Sequence, residues 1–222
     1  MMTPTQEDRI KRSFVRACAK GDLNLVKEIV SSSGVSSQKL VHYQNNYPLF
    51  TACMFGKLDV VRYLLTSNEL VQVAEIKDKG NNCLFVACGN NHLDVVQYLL
   101  TSSELKKHAN IHEDNEEALL RACRTGSLDV IRYLTLSDEL KNKPDININH
   151  DAPFITACLK KQLEVIKFFI FELNIPKTKY IEEYLKDYKK KDIEKLFEVR
   201  QLSKELNGDL QSKNASKKTS KI

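Results

Sequence analysis

Residues 84–100 read LFVACGNNHLDVVQYLL. The chain reads LFTACMFGKLDVVRYLL at 49–65, 35 residues earlier, and LLRACRTGSLDVIRYLT at 119–135, 35 residues later. FVRACAKGDLNLVKEIV at 14–30 and FITACLKKQLEVIKFFI at 154–170 complete five units, in which Cys18, Cys53, Cys88, Cys123 and Cys158 each follow an alanine. One such unit cannot bury its apolar face alone, whereas a row of them can, so a fixed period of this length predicts a solenoid of stacked supersecondary units.

Within a unit the pattern predicts a helical hairpin. The first half carries apolar residues around the small Ala-Cys step. The second half places Leu58, Val61, Leu64 and Leu65, or their equivalents, on one helical face. Gly21, Gly56, Asn91, Gly126 and Lys161 separate the halves, and all but Lys161 suit the positive φ of a helix stop. Asn45, Gly80, Asn115 and His150 mark a second turn register ahead of each internal unit.

These residues resemble the ankyrin repeat over roughly residues 10–175. Gly80, Leu84, Ala87, Cys88, His92, Val95, Val96, Leu99 and Leu100 match its turn glycine, paired small residues, Gly-His step and Val-Val…Leu-Leu helix. The family's Thr-Pro-Leu-His step survives only as Pro48-Leu49 and Pro153-Phe154. Phe50, Phe85, Leu120 and Ile155 stand where the family usually has His, so apolar packing is expected in place of its histidine hydrogen bonds.

The unit is two residues longer than the 33 usual for ankyrin. Thr66-Ser-Asn-Glu69 and Thr101-Ser-Ser-Glu104 have capping-box spacing and predict a short extra helical turn. Leu70, Leu105 and Leu140 would tuck under it, and Val41, Ile76, Ile111 and Ile146 would close the core before each hairpin tip. This variety looks like arrays of amoeba-associated and intracellular bacteria and of some large viruses. That resemblance implies an effector acting on a host protein.

Residues 1–175 hold equal numbers of basic and acidic side chains, so the formal net charge of +5 comes from the last 47 residues. Pro176 ends the fifth unit, and Tyr180 to Leu206 reads as helix, predicting a capping unit over 176–206. The polar, basic stretch 207–222 is expected to be disordered. Lys186, Lys189, Lys190, Lys191 and Lys195 interleave with Glu182, Glu183, Asp187, Asp192 and Glu194, which predicts paired surface charges rather than a nucleic-acid or anionic-membrane site.

No apolar run approaches the roughly 18 residues of a membrane span. The first residues also lack an apolar secretory core, so a cytoplasmic location is expected, or translocation into a host cell for an effector. Stacked helices lie about 8–10 Å apart, too far for disulfides between equivalent cysteines. The thiols should be free, five of them as buried core residues, with Cys83 the one expected to be exposed. The chain has no phosphate loop, nucleophile elbow or zinc-type Cys/His spacing, and this argues against an enzyme, a cofactor or a metal site. His92 is expected to be structural. His108 and His112 are spaced i, i+4 without further ligands.

The remaining reading is an all-α, ankyrin-like solenoid that binds one protein partner and is itself a monomer. By the family resemblance the partner docks on the concave side. The tips contribute Tyr43, Gln44, Asn46, Lys79, Asn81, Asp114, Glu116 and Asp151. The inner helices contribute Thr51, Met54, Phe55, Val86, Asn90, Arg121, Arg124, Thr125, Thr156, Leu159 and Lys160. Met54-Phe55 would be an apolar anchor. Arg121 and Arg124 would either fork onto a partner anion or pair with the acidic tip beside them. A regulatory or scaffold subunit inside its own cell is the alternative to an effector.

Overall fold

The computed structural model describes residues 3–78 and 81–219, the side chains of 77–81 and 208–219 excepted. Inner helices α1 (Pro4–Lys20), α4 (Tyr47–Met54), α6 (Cys83–Gly89), α8 (Glu113–Thr125) and α10 (Ile148–Leu159) pack on one another in that order. Each is followed by an outer helix: α2 (Leu23–Ser32), α5 (Leu58–Thr66), α7 (Leu93–Thr101), α9 (Leu128–Leu136) and α11 (Leu163–Lys167), the last running into a π-helical turn at Phe168–Glu172. A short helix α3 (Ser37–Val41) leads from the first unit into the second, and the two-residue strands β1 (Lys77–Asp78) and β2 (Asn81–Asn82) pair antiparallel at the tip of the third. The result is the all-α solenoid that the repeat predicts.

The inner helices begin and end where the sequence supplies the stops. Gly21, Gly56 and Gly126 take φ of 78°, 63° and 83°, with Asn91 at 58° and Lys161 at 58°. An L-residue in that region costs about 1 kcal/mol or more unless it is Gly or Asn, so Lys161 is a strained stop. The next residue of each following unit lies on the preceding glycine. A Cβ on Gly21 would meet Lys57 Cδ at 2.7 Å, and those on Gly56 and Gly126 would collide with His92 and Gln162. His92 Nε2 donates to the Met54 carbonyl at 2.9 Å and Gln162 Nε2 to the Arg124 carbonyl at 3.1 Å, so the same position ties successive units through the backbone.

A single apolar core runs the length of the array, from Phe14 through Leu49, Leu84, Leu119 and Phe154 to Phe169. Phe85 is buried, and Phe50 and Ile155 pack against the core, in the positions where apolar groups were expected to replace histidine. All six cysteines are free and buried. Cys83, expected to be exposed, is buried instead. It opens α6 directly after the Asn82 cap and its side chain hydrogen-bonds Cys53 of the preceding unit. Desolvation pushes the Cys18 and Cys158 thiols up to about 12 and those of Cys88 and Cys123 higher still.

The two extra residues per unit do something other than cap a helical turn. Ser67, Ser102 and Ser137 follow the outer helices in extended conformation, and Ser67 Oγ accepts from the Glu69 amide at 3.2 Å, as do its two equivalents. Thr66 donates to the Arg62 carbonyl rather than accepting as an N-cap. The glutamate swings back under its own outer helix. Tyr63, Tyr98 and Tyr133 donate to Glu69, Glu104 and Glu139 at 3.0–3.1 Å. A cation of the preceding unit covers the pair: Lys27 lies 3.7 Å from Glu69 and over the Tyr63 ring, and Arg62 lies 3.1 Å from Glu104 and over Tyr98. Leu70 and Leu105 are buried beneath these turns, as expected.

The C-terminal region is a hairpin rather than one helix. Lys189, with φ 51°, breaks it into α12 (Lys179–Asp187) and α13 (Lys191–Thr219). Lys189 and Lys190 donate to Lys186 and Leu185, the bonding that Lys161 and Gln162 make to Cys158 and Ala157, so this is a sixth unit on a spacing of 28 residues. Phe197 meets Phe154 edge-on at 5.9 Å, and Arg200 donates to the Ile170 carbonyl at 3.1 Å. The backbone of α13 stays helical past Leu206, through a stretch expected to lack structure. Gly208 is a weak breaker, about 1 kcal/mol below alanine, and no proline follows it.

Candidate protein-interaction surface

The tips of the second, fourth and fifth units are built alike. Gln44, Asn45 and Asn46, then Asp114, Asn115 and Glu116, then Asn149, His150 and Asp151 each run through three consecutive left-handed residues. Such a string costs about 1–2 kcal/mol per residue and is held only by what surrounds it. The first two residues of each tip are exposed and the third is buried. Glu116 accepts from His112 Nδ1 at 2.8 Å, and Asp151 accepts from Thr178 Oγ1 of the capping hairpin. Asn46, Glu116 and Asp151 are therefore part of the scaffold, contrary to their expected place on the binding face. Lys79 lies outside the described residues, and only the backbone of Asn81 is described, in β2.

Thr51 and Val86 face the neighbouring inner helix instead of solvent, whereas Arg16 in the equivalent position of the first unit is exposed. Thr51 is buried and donates to the Pro48 carbonyl at 2.9 Å, and Val86 is buried as well. Arg121 stacks its guanidinium 5.7 Å over the Phe85 ring and bonds Glu117 through Nε at 2.8 Å, while Thr156 is half-buried. Successive inner helices pack on one another, so a side chain one turn before the stop is clamped between them. Thr51 and Val86 thus leave the candidate surface.

The last residues of the inner helices do reach solvent. Phe55 is 50% exposed, whereas Met54 is half-buried with its carbonyl held by His92. Asn90 is exposed and donates through its side chain to the Val86 carbonyl at 2.8 Å. Arg124 and Thr125 are exposed, with Thr125 bonded back to the Arg121 carbonyl. Arg124 lies 3.7 Å from the same Glu117 oxygen that Arg121 holds, so the arginine fork closes on Glu117 and not on the acidic tip. Leu159 and Lys160 are exposed. Tyr43 is half-buried, donating to Asp8 at 3.1 Å under Lys11, and Gln44 is exposed beside it.

A groove of about 1170 Å³ opens between the loops that follow α5 and α7, lined by Val71, Val73, Lys106, Lys107 and His108 among others. Alternating valines in the loop VQVAEI were its only trace in the sequence. His108 pairs with the Ser102 carbonyl and His112 with Glu116, so the two histidines serve different partners. Among the described residues no group of three metal-binding side chains comes together.

Stacked inner and outer helices on a 35-residue period, joined at left-handed stops and bearing projecting tips, define a tandem-repeat α-solenoid with a side-chain-lined open face. The model of the ankyrin repeats matches residues 14–111 in three copies, and this part of the chain belongs to the ankyrin repeat family. The fourth and fifth units lie beyond that match and keep the same fold. No curated protein matches the chain. Ankyrin repeats are generally protein-protein interaction modules and typically non-catalytic, and no helix among the described residues is long and apolar enough to cross a membrane.

Proposed function

We propose that the chain binds a protein partner along the strip formed by its exposed tips and the ends of its inner helices. The observation that carries this reading is Phe55. A large aromatic side chain stands half out of the surface, although its neighbours Thr51, Met54 and His92 are satisfied within the fold. Aromatic anchors of this kind, ringed by polar groups, carry a disproportionate share of binding energy. Asn90, Arg124 and Thr125 continue the strip as a polar rim, and the exposed tip residues Gln44 and Asp114 flank it. The partner is a protein of a host cell or of the chain's own cell, and its identity decides between an effector and an endogenous subunit.

The test is affinity capture by the intact chain beside Phe55→Glu, with folding verified by circular dichroism. A protein held by the intact chain and lost by Phe55→Glu, at a cost of about 2 kcal/mol or more for a hot-spot residue, supports the reading. Equal capture by both contradicts it.

A further inference from the structure

The stops of the fifth and sixth units share a departure from the other four. Where Gly21, Gly56, Asn91 and Gly126 hold the left-handed position, these two place Lys161 (φ 58°) and Lys189 (φ 51°). A residue strained at two stacked positions, where glycine fits better, calls for a reason outside folding. Lys160 and Lys190 stand beside them, with Lys186 and Lys191 within one turn. The lysine-carboxylate pairing expected of this region holds only elsewhere in the cap, for Lys177 with Glu194 and Lys179 with Glu183. Among the described residues none of the six lysines at the two stops is in an ion pair. Glu164, Glu183 and Glu194 are taken by Lys167, Lys179 and Lys177, which leaves Glu182, Asp187 and Asp192 as the carboxylates in their midst.

Apolar side chains project between these cations. Leu159 is 54% exposed, Leu163 52% and Tyr188 60%, each within two residues of a stop lysine. The two stops are neighbours, because α10 packs on α12 and the Lys190 charge acts on the Cys158 thiol at the end of α10. They sit at the opposite end of α10 from its tip, about 13 Å away at 1.5 Å per residue, and close at the far end of the array the row of inner-helix ends that begins with Phe55. We propose that this edge docks on an anionic lipid bilayer, with Leu159, Leu163 and Tyr188 entering the interface and the stop lysines facing acidic headgroups.

Three observations favour a bilayer over a nucleic acid or an acidic peptide. The cluster contains no arginine for bidentate phosphate contacts, and Tyr188 already lies on Tyr184 with ring centroids 4.8 Å apart instead of standing free to stack on a base. The lysines and apolar groups stand on projecting turns, and neither the groove between the α5 and α7 loops nor the cavity beside α13 is lined by any of them. A peptide would need such a channel, whereas a bilayer needs a protruding edge.

The experiment is co-sedimentation of the full chain with phosphatidylcholine vesicles containing about 30 mol% phosphatidylserine, beside pure phosphatidylcholine, at about 0.1 M salt. Binding to the anionic vesicles alone is expected. Reversing Lys160, Lys161 and Lys190 to Glu together should lower it at least about 100-fold, since each lysine at a charged surface contributes roughly fivefold. Leu159→Ser with Tyr188→Ser should weaken binding but keep its salt dependence. Lys161→Gly with Lys189→Gly should raise the melting temperature while weakening vesicle binding, a combination that lysines serving only the fold would not give. The proposal is overturned by failure to bind anionic vesicles, by equal binding to neutral ones, by full binding of the charge-reversed chain, or by displacement of the vesicles by a short DNA duplex. Partner capture is read separately through Phe55, which stands at the inner-helix end of the second unit, three units from these lysines, and is unchanged in all of these variants.

Discussion

A methyl group on Gly56 would land on the His92 imidazole and would also hold a φ of 63° that alanine resists. Both effects act on one joint between the second and third units, so Gly56→Ala should destabilise the chain by about 2 kcal/mol or more, read from urea unfolding. The cysteines act in a different way. Burial lifts the Cys18 and Cys158 thiols up to about 12, from an ordinary value near 9. An unfolded thiol ionises first as pH rises, so folding then retains protons that the unfolded chain has lost. Stability should therefore be flat below about pH 9 and fall above it, by about 1 kcal/mol for each such thiol at pH 10. Unfolding at pH 8 and pH 10 checks the sign. Thiol titration at pH 8 should find none of the six reacting quickly until denaturant is added, Cys83 included.

At the scale of elements, the Tyr–Glu–cation ladder along the outer helices explains why the unit is 35 residues long. The two added residues let Glu104 reach back to the Tyr98 hydroxyl at 3.0 Å while Arg62 closes over both. Tyr98→Phe removes the donor and leaves a half-exposed carboxylate still paired with Arg62, so the loss should be small, about 0.5–1.5 kcal/mol in a melting experiment. Helix positions and stops were legible in the sequence because a strict period shows which residues are equivalent, and apolar spacing then shows the buried face. The ladder was not legible. Thr66 and Glu69 fit a capping box by spacing alone, and only three-dimensional proximity shows that a serine caps while the glutamate meets a tyrosine six residues before it. The site was half legible for a related reason. Phe55 and Asn90 stand in solvent as their register implies, but Asn46, Glu116 and Asp151 turn inward because three left-handed residues in a row rotate the third beneath the tip.

The whole molecule is a linear array in which each unit touches its neighbours, so the end units bear most on one another. The capping hairpin seals the fifth unit through Phe197 on Phe154, Arg200 on the Ile170 carbonyl and Thr178 on Asp151. Truncation after Ile175 should free the fifth unit first. Hydrogen exchange should speed over Ile148–Glu172 while the second and third units keep their protection. Charge is likewise uneven along the row of inner-helix ends, which runs from Phe55 in the second unit to the lysine-rich stops of the fifth and sixth.

The claim that the strip is the partner-binding face is tested most directly by placing a photo-crosslinking amino acid at position 55 and, in a second protein, at the exposed Leu136 on the opposite, outer-helix side. A partner adduct from position 55 with none from position 136 is the predicted result. Crosslinking from 136 and not from 55 would put the partner on the outer helices and contradict the account.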